Sequence, residues 1–342
     1  MKDKRKIFQN FTIVMIVAIL GLMLLIIVGS GVGRYHIPTL DVVKVVLSNV
    51  FDFSQTWEPQ AYSVVMSLRL PRIITAVLVG GALALSGAVY QGVFKNPLVA
   101  PDMLGVSTGA CVGASVGILC NAGGVTVQIV AFAGGMIAVV LATSIPKIMK
   151  NHSMMMLVLS GIIVTGLLDS IMGLLKYVAD PDTELAEITH WQLGSLTKAT
   201  WNDVAYIGPP ILLAGIILIT IRWRINILSL GEGEARTLGM DIRRIRGIVV
   251  VCATILTASA VCISGTIGWI GLVIPHLCRM MIGPDNRKVI PFSIVMGAIF
   301  LLLIDTMARV ITNAELPLSI LTGFVGAPFY FYLLLKQRMK LS

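Results

Sequence analysis

Charge is what this sequence has least of. Only 13% of its 342 residues are Asp, Glu, Lys or Arg, about half of the roughly 25% usual in soluble domains. Hydrophobic residues make up 56%, and mean hydropathy is +0.91. A water-soluble fold of this length cannot cover so much apolar surface, which leaves a polytopic membrane protein whose outer face is solvated by lipid. Cysteine is scarce too. Cys111, Cys120, Cys252, Cys262 and Cys278 are odd in number, form no C-x-x-C and lie in apolar surroundings. They imply neither a disulfide framework nor a metal site, and are expected to be small buried hydrophobes. His36, His152, His190 and His276 show no pair at ligand spacing, and Asp180-Pro-Asp182 is an isolated acidic turn. Signature motifs for chemistry are missing as well. No G-x-x-x-x-G-K-(S/T) is present, which excludes a P-loop nucleotide site, and neither H-E-x-x-H nor G-x-S-x-G occurs. Gly29-x-Gly31-x-Gly33 ends an apolar run and opens no helix. No catalytic residue and no metal ligand is assigned, and an enzyme is not expected.

What is present is a series of apolar runs. About 20 residues of helix cross the hydrocarbon core. Ten runs qualify: 10–30, 72–92, 103–121, 124–147, 153–177, 203–222, 247–264, 265–283, 291–311 and 317–335. The first follows a basic tail, 1–9, and is read as a retained helix, because no A-x-A cleavage site follows it. The boundary at Gly265 divides one long run, and Gly265, Gly268 and Gly271 permit a broken helix there. Three stretches lie outside the spans. Residues 31–68 form a loop with a short amphipathic helix near 40–50. Residues 178–202 read as an interfacial helix, and residues 222–246 are the most charged stretch. The whole of 1–342 reads as one transmembrane domain.

Ten spans place both termini on one side. Nineteen of the 26 lysines and arginines then fall on that side and seven on the other. By the positive-inside rule both termini are cytoplasmic, and the net charge of +9 is an orientation signal with no nucleic-acid partner implied.

Few polar constellations remain. Arg69-Leu-Pro-Arg72 opens the second span from the outside; two arginines three apart share a helical face, suited either to lipid phosphates or to an acidic partner. Asp305 and Arg309 stand at i, i+4 in the ninth span, and Asp169 lies in the fifth without a local partner. Intramembrane ionisable residues are functional hypotheses by default. The connection Gln91–Pro101 is either a plain loop or a gate. Pro275 is expected to break the eighth span, with His276 satisfying the freed backbone. The segment Leu230-Gly-Glu-Gly-Glu-Ala-Arg-Thr-Leu-Gly239 is expected to carry a short helix, Glu232–Leu238, shaped as a knob for a partner that supplies energy. An ion-gradient transporter coupled through Asp169, Asp305 and Arg309 is the competing reading.

Several ordered blocks carry a resemblance. RLPRIITAVLVGGALALSGAVYQGVFKNPLVAPDMLGVSTGA (69–110), WQLGSL (191–196), LGEGEARTLG (230–239), SGTIGWIGLVIPHLCRMMIGPDNR (264–287) and ELPLSILTGFVGAPFYFYLLLK (315–336) are similar to the permease subunits of type II ABC importers. That family takes up iron–siderophores, haem and cobalamin across bacterial or archaeal cytoplasmic membranes. The resemblance implies an all-α fold of about ten transmembrane helices. It implies a dimer of permeases, identical or paralogous, two ATPase subunits that bind the ATP and magnesium, and an extracytoplasmic binding protein. It implies no cofactor on this chain. The ATPase coupling helix of the family matches Leu230, Gly231, Glu232, Glu234, Ala235, Arg236, Leu238 and Gly239, with Gly233 where many relatives carry a second acid. Its cytoplasmic gate matches Asn96, Pro97 and Leu98. Its binding-protein docking arginines match Arg69, Arg72 and Arg309.

Overall fold

The computed structural model describes residues 10–33, 35, 37–48, 51, 55, 57–151, 153–312 and 314–338. The basic tail 1–9, parts of the loop 31–68, and His36 and His152 lie outside the described residues. Among those described, regular structure is entirely helical. Seven helices are long and apolar enough to cross a membrane, and three shorter apolar ones accompany them.

In chain order these ten are α1 (Phe11–Gly31), α4 (Leu70–Phe94), α5 (Val106–Leu119), α6 (Gly124–Ile148) and α7 (Met154–Val178), followed by α9 (Trp201–Thr220), α12 (Ile242–Ser264), α13 (Ile270–Ile282), α14 (Asn286–Val310) and α15 (Leu318–Arg338). They coincide with the ten apolar runs. The remaining helices are short: α2 (Thr39–Leu47), α3 (Pro59–Ser63), α8 (Glu184–Leu193), α10 (Arg222–Leu230) and α11 (Glu232–Thr237). The loops 31–68 and 178–202 thus hold helices, as expected. The second span, however, starts earlier than residue 72. From Pro59 the chain is continuously helical, through a π-helical stretch at Val64–Arg69 into α4. The extra residue per turn in a π segment changes the direction of the side chains that follow it.

Burial sorts the helices into centre and periphery. α4 is buried along almost its whole length and packs on α14, α12, α13 and α9. Its composition allows this: lipid gives no hydrophobic drive between helices, so close approach of small residues holds them together. At the α4–α14 crossing, a Cβ on Gly80 would lie 2.4 Å from the Gly297 carbonyl oxygen, and a Cβ on Gly297 would lie 2.3 Å from that of Gly80. Any side chain at either position would push the two helices apart. α1 and α7 are peripheral, and the apolar side chains they leave exposed, such as Leu20, Leu24 and Leu174, suit lipid or a second protein surface.

Two expectations are corrected. Cys120 is exposed, while the other four cysteines are buried, because α5 ends at Leu119 and leaves it beyond the last turn. Pro275 does not break its span: α13 runs through it from Ile270 to Ile282. The break lies upstream, at Gly265, whose φ of +67° favours glycine.

Candidate functional site

Three places gather the polar residues. At one end of the bundle lies a buried ionic cluster. The Arg72 guanidinium donates from Nε to Asp305 Oδ1 at 2.9 Å and from Nη1 to Glu315 Oε1 at 3.0 Å, and its Nη2 lies 2.8 and 2.9 Å from the same two carboxylates. Arg309 pairs with Asp305 at 3.3 Å and donates to the carbonyls of Val32 and Gly29. Arg69 donates to the carbonyls of Ser30, at 2.6 Å, and of Tyr35. Gly29, Ser30 and Val32 form the end of α1, where helix carbonyls lack intrahelical partners and partial negative charge accumulates. Two carboxylates and one helix terminus therefore balance three guanidiniums. Asp305 is wholly buried, and Arg69, Arg72 and Arg309 are 7–8% exposed.

The three arginines expected to dock a binding protein all point into the protein and are occupied there. Asp305 and Arg309 likewise form a closed structural pair. Glu315 lies outside the spans and also accepts from Thr197 Oγ1 at 2.6 Å. Burial alone would raise its pKa, but the bonds from Arg72 and Thr197 outweigh that and hold it below the ordinary glutamate value.

The second place is the break between α12 and α13. Segment 192–195 fills it: Ser195 N–H donates to Ser264 O at 2.9 Å and Thr266 Oγ1 donates to Gln192 O at 2.5 Å. Ser319 Oγ donates to Leu193 O at 2.7 Å, and Leu318 N–H to Gly194 O at 3.0 Å. Irregular backbone at membrane depth persists only where such partners exist or where it lines a cavity, and here it does both. A cavity of about 340 Å³ opens beside the break. Asp102, Asp169, Gln192, Thr266, Trp269 and Ser319 border it. Asp169, which has no partner on its own helix, thus faces a polar cavity. Trp269 holds a φ of +71°, a strained value for a bulky residue.

The third place is the opposite end of the bundle. α4 stops at Phe94, with Lys95 in the left-handed region. Asn96 Oδ1 then accepts from Leu98 N–H at 2.9 Å, a turn that fixes Pro97 and presents Leu98 to the surface. Nearby, α11 spans Glu232–Thr237 with Leu238 as its C-cap. Ala235 is buried and anchors the short helix, whereas Leu230 and Leu238 are each 66% exposed. Glu232 binds Arg246 and, at 3.6 Å, Arg236. The hydrogen bond from Arg246 holds the Glu232 carboxyl below its ordinary value. The short helix thus combines a buried foot, exposed apolar tips and fixed charges.

One functional residue escaped sequence reasoning. Gln91 Nε2 donates to the carbonyls of Gly271, at 3.3 Å, and Leu272, at 3.1 Å. Pro275 has no N–H to give to Gly271, four residues earlier. Gln91, not His276, supplies the missing donor. Its Oε1 accepts in turn from Arg279. His276 instead stacks edge-on against Tyr330, with Nδ1 buried and unpaired.

The chain is similar to known proteins over nearly its whole length. The molybdate import system permease of Haemophilus influenzae is 36% identical over 324 residues, covering 93% of this chain and 95% of the relative. The hemin transport system permease of Yersinia pestis is 34% identical, covering 94% and 97%. A solved structure described as an inward-facing conformation of a metal-chelate type ABC transporter superposes with a TM-score of 0.84 at 35% identity, covering 94% of this chain and 99% of that one. The sequence signature of the FecCD transport family matches residues 19–336, and the chain belongs to that family.

Proposed function

We propose that this permease subunit imports an iron–siderophore, or a related metal chelate such as haem or cobalamin, across a cytoplasmic membrane. The chain is a multi-pass membrane protein and an ABC importer permease, not an enzyme; ATP hydrolysis belongs to separate subunits. The observation that carries the reading is the likeness, over nearly the full length of both chains, to the metal-chelate type transporter.

In this reading two permeases pair, and two ATPase subunits dock on the face that holds α11. Leu230, Leu238 and the Glu232–Arg236 pair supply the contact, and Asn96, Pro97 and Leu98 gate the cytoplasmic exit. Both termini lie in the cytoplasm, as the distribution of Lys and Arg supports. A binding protein delivers substrate at the end that holds the ionic cluster; its carboxylates would reach Arg72 by displacing Glu315. ATP and magnesium sit on the ATPases, and this chain carries no cofactor. An ion-gradient mechanism loses two of its three proposed carriers, because Asp305 and Arg309 are committed to one another.

The test is uptake into proteoliposomes holding the complete complex and its own binding protein, offered ferric siderophores, haem, cobalamin and molybdate. ATP-dependent uptake of one chelate, with stimulated ATPase activity, is expected. Uptake that persists without ATP and collapses with the proton gradient would overturn the reading.

A further inference from the structure

A groove of about 460 Å³ runs between α6, α7 and α12 at the end of the bundle that carries α11. Its polarity is graded. The rim holds four bases, Lys147, Arg236, Arg243 and Arg246, against a single acid, Glu232. Deeper in, the walls are apolar: Met136, Val139 and Val140 from α6, Leu157 from α7, Val250 and Val251 from α12. The α12 residues that line it, from Ile242 through Arg246 and Val250 to Thr254, recur every four positions and so form one stripe. The twelve helical rises from Ile242 to Thr254 extend the groove by about 18 Å.

The charge at the rim is only partly neutralised. Glu232 takes up Arg246 and Arg236, while Lys147 and Arg243 have no ion-pair partner among the described residues. Arg246 Nε is buried and makes no hydrogen bond. α7 and α12 begin beside the rim, but Ser153 and the Asp241 carboxylate cap them and α6 ends there at Ile148, so the positive field comes from the side chains alone. Space is also available: a Cβ built on Gly247, in the adjoining row Arg243–Gly247–Val251 that also lines the groove, meets nothing within 4 Å.

We infer that this groove binds an anionic phospholipid of the inner leaflet. The phosphate would sit among Lys147, Arg243 and Arg246, and one acyl chain would lie along the Val140–Val251 walls. Charge complementarity selects the headgroup, and the apolar length selects a lipid over a free phosphate, which would leave the deep walls bare. A bound lipid would touch Arg236 and Arg246, the two partners of Glu232, so membrane composition would reach the proposed coupling helix directly. The placement in the inner leaflet rests on the orientation proposed above; binding itself requires only that the chain be membrane-embedded.

Native mass spectrometry of the full-length chain in detergent, titrated with phosphatidylglycerol or phosphatidylcholine of equal chain length, reads this site. The expected result is preferential retention of phosphatidylglycerol. The double variant Lys147→Gln, Arg243→Gln removes two unpaired bases and is expected to weaken phosphatidylglycerol binding roughly 30-fold, the effect of two membrane-surface cations. Gly247→Leu fills the groove with a good helix former and is expected to abolish retention of either lipid at the site, with the unfolding temperature unchanged. Equal retention of the two lipids, wild-type retention by both variants, or equal competition by glycerol phosphate would overturn the proposal. Release of the lipid on assembly with the ATPase subunits would also overturn it, since the groove would then be an ATPase contact. None of these outcomes bears on ATP-driven uptake, which tests the importer reading separately.

Discussion

Asp305 holds two arginines at once, and its removal is the most costly single change at the residue scale. Asp305→Ala leaves Arg72 and Arg309 buried with one carboxylate, Glu315, between them. Breaking a buried pair from one side costs about 3–5 kcal/mol, because an uncompensated charge stays in the low-dielectric interior. Unfolding of the purified variant in detergent should show a loss of that size; a loss below about 1 kcal/mol, typical of exposed pairs, would mean that water reaches the cluster. Glu315 makes the cluster sensitive to acid. A carboxyl held below its unfolded value stabilises the fold fully above the ordinary glutamate pKa of about 4.3 and ceases to do so as pH falls through the lower folded value. Wild-type stability should therefore fall more steeply below pH ~4.3 than that of Glu315→Gln, which should already be less stable at neutral pH. Parallel acid profiles for the two proteins would remove Glu315 from the cluster's energetics.

At the scale of elements, Pro275 and Gln91 show how a helix survives a local defect. Gln91→Leu withdraws the donor from Gly271 and leaves a buried carbonyl unsatisfied, at a cost of about 1–3 kcal/mol. Pro275→Ala returns an N–H four residues after Gly271, so Gln91→Leu should cost less in the Pro275→Ala background. A double-mutant cycle measures this; the coupling should exceed about 0.5 kcal/mol, and additivity would show that the glutamine does not replace the missing bond. The same pair explains what could be read from the chain in advance. The ten apolar helices were legible because their cores are long apolar runs with few charges, and the division of the longest run at Gly265 was legible because three glycines cluster there. The early start at Pro59 was not, since Gln60, Tyr62 and Ser63 give no apolar signal and the π segment follows from packing. The fate of the arginines was not either. Arg72 meets Asp305 and Glu315 across 233 and 243 residues of chain, and Gln91 meets Gly271 across 180. Spacing marks Arg69 and Arg72 as sharing a face, but whether that face looks outward or inward depends on α14 and the end of α1 reaching it.

For the whole molecule the question is how work done outside the membrane enters it. The chain carries no P-loop motif, and in the proposed reading force is applied at the surface of the α11 end. α11 is braced on three sides: Ala235 is buried beneath it, Arg246 on α12 grips Glu232, and α10 leads directly into it. Under the proposed coupling, displacement of so short a helix would act on α12 through Arg246. α12 packs on α4 and α6 and ends at the break where Asp169 faces the cavity. Packed elements thus connect the proposed contact surface to the polar interior, which is what alternating access driven by a partner would need. Leu230 and Leu238 point away from this brace, so replacing both with Glu should leave the fold nearly unchanged, within about 0.5 kcal/mol for each exposed position, while putting charge into an apolar contact. Co-purification with the ATPase subunits should be lost while the unfolding temperature of the permease is retained. If the doubly substituted chain still recovers the ATPase at wild-type yield, the contact lies elsewhere on this face, and the route through α11 and α12 carries no load.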